Sequence, residues 1–352
     1  MILGIETSCD ETALALIDPT IKENGGLVAE LVASQVKIHA NYGGVVPEIA
    51  AREHLATLPF LLEELLLKSD KLREDILEVA VTEGPGLKGC LLMGSMFARG
   101  LASGLSIGVR SINHLEGHLL APMMDNAELE FPYIALLVSG GHSEVVIVRG
   151  FRQYEVVSRT IDDAAGEAFD KSATMIGLNY PGGALLARLG DSIDSSPFKL
   201  PLVMKNRPEM SFSGLKTAVR CLVHSCVRSV GCDEYCIRTD YGYLSKELQA
   251  QLAHTIQKAI VEALLIKVRN HVRSSGLKRI GLTGGVAANR LLRAEIGMLS
   301  GVALYVPDIQ HCTDNAAMIA YVASQEQRFG LPNTVAYAVP RVCSRWALEK
   351  LC

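Results

Sequence analysis

Two apolar runs joined by a tight polar link open this chain, and the same unit returns roughly 130 residues later. Ile2–Ile5 and Thr12–Ile17 read as strands on either side of Glu6-Thr7-Ser8-Cys9-Asp10-Glu11. From Tyr133 onward, Ile134–Val138 and Val145–Val148 flank Ser139-Gly140-Gly141-His142-Ser143. A repeated strand–turn–strand unit points to an internal duplication, and so to two similar lobes rather than one continuous core. The length of 352 residues, too great for one ordinary core, agrees. Small and hydroxyl residues in both turns leave backbone N–H groups able to face an anion. A third element has the same chemistry. Arg279–Leu282 reads as a strand, ends in Thr283-Gly284-Gly285, and Ala287–Leu299 reads as the helix that follows. Each alone is ordinary turn chemistry; together they outline two lobes clamping one nucleotide.

Between these marks helices are expected at His54–Lys68, Gly94–Gly104, Ile112–Met124, Ala164–Gly177, Leu244–Ser274 and Ala316–Phe329. Strands are expected near Val79–Thr82, Leu105–Val109 and Ala303–Val306. The mixture argues an α/β protein. Asp191–Ser213, with Pro197, Pro201 and Pro208, reads as a polar loop, and Gly231–Asp240 as another surface connection.

The formal net charge of -4 excludes a basic nucleic-acid coat, so any nucleic-acid contact needs a local patch or a partner. Lys205, Arg207, Lys216 and Arg220 offer such a patch, or else an ordinary solvated surface. The nine cysteines suit reduced cytosolic thiols. Cys221, Cys226, Cys232 and Cys236 cluster, but without the paired spacing of a zinc site. No basic region followed by an apolar stretch opens the chain, and no uninterrupted apolar run reaches membrane length. A cytoplasmic protein without membrane contact is the expectation.

The sharpest local motif is Asn113-His114-Leu115-Glu116-Gly117-His118. Residues four apart on a helix differ by about 40° in direction, so His114 and His118 share a face suited to a divalent metal. Glu116 lies about 200° from His114 on that wheel. It does not stand where a zinc peptidase needs its general base. A third ligand is required, and Asp314 in His311-Cys312-Thr313-Asp314-Asn315 is the candidate. Thr313, Asp314 or Asn315 equally suits the cap of a helix starting at Ala316, and the residues alone leave both readings open. In Ile161–Lys171, Asp163 is placed to cap a helix. Glu167, Asp170 and Lys171 then share one turn, either as a solvated salt-bridge face or with Asp170 accepting from a ribose hydroxyl. Tyr180-Pro181-Gly182-Gly183 is a loop whose backbone can approach a ligand.

These pieces, in this order, resemble the TsaD family of tRNA adenosine threonylcarbamoyltransferases. The motifs are GIETSCDET at 4–12, HANYGGVVPEIAAREH at 39–54, GPGLKG at 84–89, NHLEGHLLAP at 113–122 and LLVSGGHSE at 136–144. They continue with IDDAAGEAFDK at 161–171, YPGG at 180–183, SFSGLKTAV at 211–219, GGVAANRLLR at 284–293 and CTDNAAMIA at 312–320. The resemblance implies an actin-like, hexokinase-like two-lobed α/β fold with a duplicated core and an interlobe nucleotide cleft. Its lobes would be residues 1–120 with 320–352, and residues 121–319.

The family's metal ligands match His114, His118 and Asp314, and its substrate loop matches Leu137, Val138, Ser139, Gly140 and Gly141. Its remaining nucleotide contacts match Asp170, Gly183 and Asn289. The implied cofactors are one divalent metal, Fe(II) or Zn(II), and an adenine nucleotide: threonylcarbamoyl-adenylate, AMP or ATP. The implied reaction passes threonylcarbamoyl to the exocyclic amine of adenosine 37, in tRNAs reading codons that begin with A. The implied partners are tRNA, an inactive TsaB-like paralogue and a small TsaE-like ATPase. No residue stands out as a catalytic base; His142 and Glu11 are the candidates. After the YPGG loop the chain departs from the family pattern with apolar Ala184-Leu185-Leu186-Ala187. The rival activities are an actin-like sugar kinase or ATPase, and a metallopeptidase.

Overall fold

The computed structural model describes residues 1–202, 204–229, 244–335 and 338–351. Cys232 and Cys236 of the cysteine cluster lie outside the described residues. Cys221, exposed, and Cys226, buried, are on the helix Ser213–Ser229.

The chain forms two compact units. One comprises Met1–Phe131, Val148–Tyr154 and Tyr305–Cys352, the other Pro132–Ile147 and Glu155–Leu304. The first is built on a six-stranded sheet. In chain order its strands are β1 (Ile2–Glu6), β2 (Glu11–Ile17), β3 (Leu27–Ser34), β4 (Glu78–Gly84), β5 (Gly108–Asn113) and β11 (Thr334–Val335). In space they run β11-β5-β4-β1-β2-β3. β1 pairs antiparallel with β2 and parallel with β4.

Strand alternation decides which helices cover which face. Leu3, Ile5, Val79 and Val81 point into one cluster, with Leu58, Leu62 and Leu65 of the helix Pro47–Ser69 and Ala98 of the helix Lys88–Leu105. Each fully buried Leu contributes roughly 1.5–3 kcal/mol. Ile2, Ala80 and Ile112 point the other way, toward Leu120 of the helix His114–Asp125 and Met318, Ile319 and Val322 of the helix Ala316–Arg328. Gly4 makes that second contact close: a Cβ there would stand 2.3 Å from the Ala316 carbonyl oxygen.

The second unit holds most of a five-stranded sheet of β6 (Tyr133–Val138), β7 (Ser143–Gly150), β8 (Gln153–Arg159), β9 (Arg279–Thr283) and β10 (Ala303–Tyr305), ordered β10-β9-β6-β7-β8. β6 pairs parallel with β9 as β1 does with β4. In both sheets three consecutive strands lie side by side, and a later strand joins the first in parallel, which is the duplication anticipated from the turns. The 30-residue helix Lys246–Ser275 starts at the cap Ser245 and ends at Gly276, which takes φ 71°. Against it lies Gly183–Gly190, with the Gly190 carbonyl oxygen 2.9 Å from His254 Nδ1. The apolar Ala184–Ala187 run lies on this helix, with Leu186 fully buried and Ala184 and Leu185 exposed.

Several expected boundaries move: the helix expected from His54 begins at Pro47, and the one expected from Gly94 begins at Lys88. The helix Lys88–Leu105 runs through the expected start of a strand, because left-handed Ser106 (φ 59°) ends it only there. β5 then extends to Asn113, so Ile112 is strand rather than helix. After Gly284-Gly285 the chain makes a short 3₁₀ turn, Gly285–Ala288. Asn289 in an extended conformation caps the helix Arg290–Gly297, where one helix over Ala287–Leu299 was expected.

Candidate metal centre

Asn113 sets where the histidine-bearing helix begins. Its Oδ1 accepts from the N–H groups of Leu115 (2.9 Å) and Glu116 (3.3 Å), while Nδ2 donates to the Trp346 carbonyl (3.0 Å). His114 is thus the first helical residue, and His118 follows one turn later on the same face. The two rings meet edge to face with centroids 4.7 Å apart. At Gly117 a Cβ would stand 3.0 Å from Met318 Cγ, so glycine lets the helix Ala316–Arg328 lie close.

Among the three candidate caps of that helix, the role falls to Asn315, whose Oδ1 accepts from Met318 N–H at 2.8 Å. The Asp314 carboxylate turns instead toward the imidazoles: Oδ1 is 3.1 Å from His118 Nε2 and 3.5 Å from His114 Nε2. Two Nε2 atoms and a carboxylate oxygen, all within 4.8 Å of one another, form a donor set suited to a divalent ion.

Glu6, read in the sequence only as part of a polar turn, supports this set. Its Oε2 lies 3.0 Å from His114 Nδ1 and also accepts from Thr82 Oγ1 at 2.6 Å. A carboxylate on the far nitrogen fixes the ring so that Nε2 points at the site. Burial opposes the charged form of His114, but Glu6 and then Asp314 outweigh it and push its pKa up to about 9. Glu11 is pushed up to about 9 as well, by burial, then by Asp314 and Asp10. Carboxylates that repel one another around two imidazoles are a surrounding that a cation relieves.

Glu116 faces away from the site. It is fully buried, accepts from Tyr154 Oη at 2.6 Å and lies 3.8 Å from Arg152 Nε. A peptidase-type role for it has no geometric support.

The nucleotide candidates lie in the second unit. Leu137 and Val138 end β6 with fully buried side chains, so only their backbone can meet a ligand. In the turn, Ser139 N–H donates to the His142 carbonyl (2.8 Å) and His142 N–H to Ser139 Oγ (3.1 Å). The amides of exposed Gly140 and Gly141 have no hydrogen-bond partner among the described residues. Those two amides are therefore the ones in this turn open to an anion. Two glycines press on the turn from behind: a Cβ at Gly166 would stand 2.6 Å from Ser139 O, and one at Gly284 2.4 Å from Val138 O.

Asp170 and Gly183 do meet, since Asp170 Oδ1 accepts from Gly183 N–H at 2.7 Å. Asn289 spends its Oδ1 on Leu292 N–H (2.9 Å), and its Nδ2 is 3.4 Å from Gln257 Oε1. Asp163 does not cap the following helix; Ala164 holds the cap position, while Asp163 pairs with Lys216 and lies 3.8 Å from Lys171 Nζ. Lys216 is therefore engaged in an ion pair, while Lys205, Arg207 and Arg220 are exposed.

A second cluster in the first unit was not anticipated. Buried His311 places Nδ1 2.8 Å from Asp125 Oδ2 and Nε2 3.4 Å from Glu30 Oε2. Burial opposes its charge, but Asp125 and Glu30 prevail and push its pKa up to about 9. An unfolded imidazole titrates near ~6.5. Between those values the native state holds the extra proton, so stability should fall as pH climbs from about 6.5 through about 9. Thermal melting across that range checks this: His311→Gln should flatten the slope, and an unchanged slope would count against the ion pairs.

Among the described residues no helix is long and apolar enough to cross a membrane. In comparisons with solved structures, component A of (R)-2-hydroxyglutaryl-CoA dehydratase from Acidaminococcus fermentans is similar over 93% of this chain and 98% of that one. The TM-score is 0.54 at 15% identity. Full-length HypF in its phosphate- and nucleotide-bound form is similar over 92% of this chain and 55% of its own, with TM-score 0.56 and 12% identity. HypF of T. kodakarensis gives 94%, 48%, 0.58 and 13% in the same terms. At such identities the likeness concerns the fold alone, and it agrees with the actin-like α/β architecture expected from the sequence. Among family models, that of TsaD, tRNA N6-adenosine threonylcarbamoyltransferase, matches residues 26–321. With most of its length so matched, the chain belongs to the TsaD family of tRNA N6-adenosine threonylcarbamoyltransferases.

Proposed function

We propose that this transferase uses threonylcarbamoyl-adenylate as donor and the exocyclic amine of adenosine 37 as acceptor, in tRNAs reading codons that begin with A. The observation that carries the site assignment is the approach of His114 Nε2 and His118 Nε2 to one oxygen of Asp314. Fe(II) and Zn(II) both suit two imidazoles and a carboxylate. Held there, the ion supplies Lewis-acid chemistry toward an oxygen of the acyl group. His114, His118 and Asp314 would hold the ion, with Glu6 on His114 Nδ1 keeping Nε2 turned toward it.

The adenylate is assigned to Leu137, Val138, Ser139, Gly140, Gly141, Asp170, Gly183 and Asn289. The Gly140 and Gly141 amides donate to phosphate, and Asp170 accepts from a ribose hydroxyl while it steadies the loop at Gly183. In the reaction the amine nitrogen attacks the carbamoyl carbon, and the bond from that carbon to the phosphate oxygen breaks. AMP leaves with the electron pair, and the amine yields one proton to solvent. No side chain is assigned as base, so orientation of the reactants supplies most of the acceleration.

A chain of charge -4 recruits tRNA through local groups and partners. Lys205, Arg207 and Arg220 are the local groups, and a TsaB-like paralogue and a TsaE-like ATPase the partners, in a cytoplasmic assembly. Phe60 and Leu67, both exposed on the helix Pro47–Ser69, offer apolar area to such a partner.

The test is reconstitution with those partners, threonylcarbamoyl-adenylate and unmodified tRNA, read by nucleoside mass spectrometry. One AMP per modified adenosine is expected, and none with guanosine at position 37. ATP hydrolysis or phosphoryl transfer by the chain alone, without those partners and without tRNA modification in the full mixture, would favour the kinase or ATPase class instead.

A further inference from the structure

His311 stands three positions before Asp314, on the short helical segment Ile309–Cys312. Both of its ring nitrogens face carboxylates, Asp125 at 2.8 Å and Glu30 at 3.4 Å, and the ring is fully buried. Only an imidazolium donates from both nitrogens at once. The two carboxylates come from elements that matter to the metal site. Asp125 is the last residue of the helix that begins with His114. Its Oδ2 also accepts from Asp308 N–H at 2.9 Å, which fixes the approach of the segment. Glu30 is on β3, and its Oε1 accepts from the N–H groups of Ala316 (3.1 Å) and Ala317 (3.0 Å) at the start of the next helix.

Asp314 is therefore gripped from both sides. Upstream, His311 ties its segment to the histidine-bearing helix. Downstream, Glu30 and Asn315 hold the first turn of the helix Ala316–Arg328, with Asn315 Nδ2 also donating to the carbonyls of His311 (3.1 Å) and Thr313 (2.8 Å).

We propose that His311 is a positioning residue for the metal centre: sandwiched between Asp125 and Glu30, it locks the loop that aims Asp314 at the two histidines. The inference rests on the metal-site reading and extends it to a residue that touches neither metal nor substrate. Asp125, Asp308 and His311 themselves offer ligand atoms within 4.8 Å of one another. Gln310 Nε2 also lies 3.4 Å from His311 Nε2, and a second metal at this cluster is an outcome that metal titration separates.

Co(II) titration of the full chain, followed by visible absorption, tests this. Wild type should bind one equivalent, and His311→Gln should weaken binding by about 10- to 100-fold, as loss of a supporting partner does. Asp125→Asn carries the same expectation should His311→Gln not fold. A double-mutant cycle separates positioning from general loosening. If His311 acts through Asp314, then His311→Gln added to Asp314→Asn costs no further affinity. Independent, additive losses overturn the proposal, as does unchanged affinity in both His311→Gln and Asp125→Asn. A second equivalent in wild type that His311→Gln abolishes also overturns it, in favour of a second metal. Equal affinity of wild type and Asp314→Asn rejects the metal reading itself, and the inference with it.

Discussion

Alanine at His114, His118 or Asp314 should each cut tRNA modification by at least about 10³-fold. Charge stabilisation by a bound ion is worth several kcal/mol in the transition state, and each 1.36 kcal/mol is a factor of ten. Two remaining ligands do not hold an ion with the geometry that three provide. The loss should not come from unfolding in the case of Asp314. That carboxylate is partly exposed, and the repulsion of Glu11 that its removal relieves offsets the attraction to His114 that is lost. Single-turnover transfer from preformed adenylate, beside metal content and thermal melting of the same preparations, checks the claim. Three variants that modify tRNA at the wild-type rate would end the metal assignment.

Gly284→Ala should have the opposite signature, a large loss of stability. Gly284 takes φ 91° and ψ 163°, a region of backbone space essentially closed to residues with a Cβ, at a cost of about 1–3 kcal/mol. The added Cβ would also stand 2.4 Å from Val138 O and 2.7 Å from its carbonyl carbon. Those are backbone atoms at the end of β6, whose preceding residue Leu137 pairs with Thr283, so relief requires breaking the sheet. A combined cost above about 3 kcal/mol is expected. At roughly 2–4 °C per kcal/mol for a domain of this size, the melting temperature should drop by about 6–12 °C. Gly140→Ala is the control. A Cβ there meets nothing within 4 Å, so stability should hold while adenylate affinity falls. A Gly284→Ala protein that melts like wild type would show that the turn relaxes more easily than its contacts imply.

The strand–turn–strand repeat was legible because a fully buried strand leaves a plain apolar run: every residue of β1 and β6 is buried. β3 was not legible, because it is half exposed and its Leu-Val-Ala-Glu-Leu-Val-Ala-Ser sequence has no strict alternation. The His114–His118 pair was readable from spacing alone. The choice between Asp314 and Asn315 was not, since both types cap helices equally well and only the turn of the chain decides. Glu6 was hidden by its neighbours. In a polar run any acid reads as turn chemistry, and nothing local marks the one that reaches an imidazole 108 positions away. His311 was hidden for the same reason, as its partners lie 186 and 281 positions back (311 − 125 and 311 − 30).

The helix Ala316–Arg328 covers the face of the first sheet that Ile2 and Ala80 expose. The helix His114–Asp125 covers part of that face early, but the rest stays open on the ribosome until residues roughly 300 positions after β1 have emerged. Strands β1 and β4 wait for a helix that follows them by more than 200 residues, and the waiting surface is sticky to other nascent chains. Because Asp314 enters just ahead of that helix, the same late docking event seals the core and completes the ligand set. A newly made molecule should therefore become able to bind a divalent ion at this candidate site only once that helix has docked.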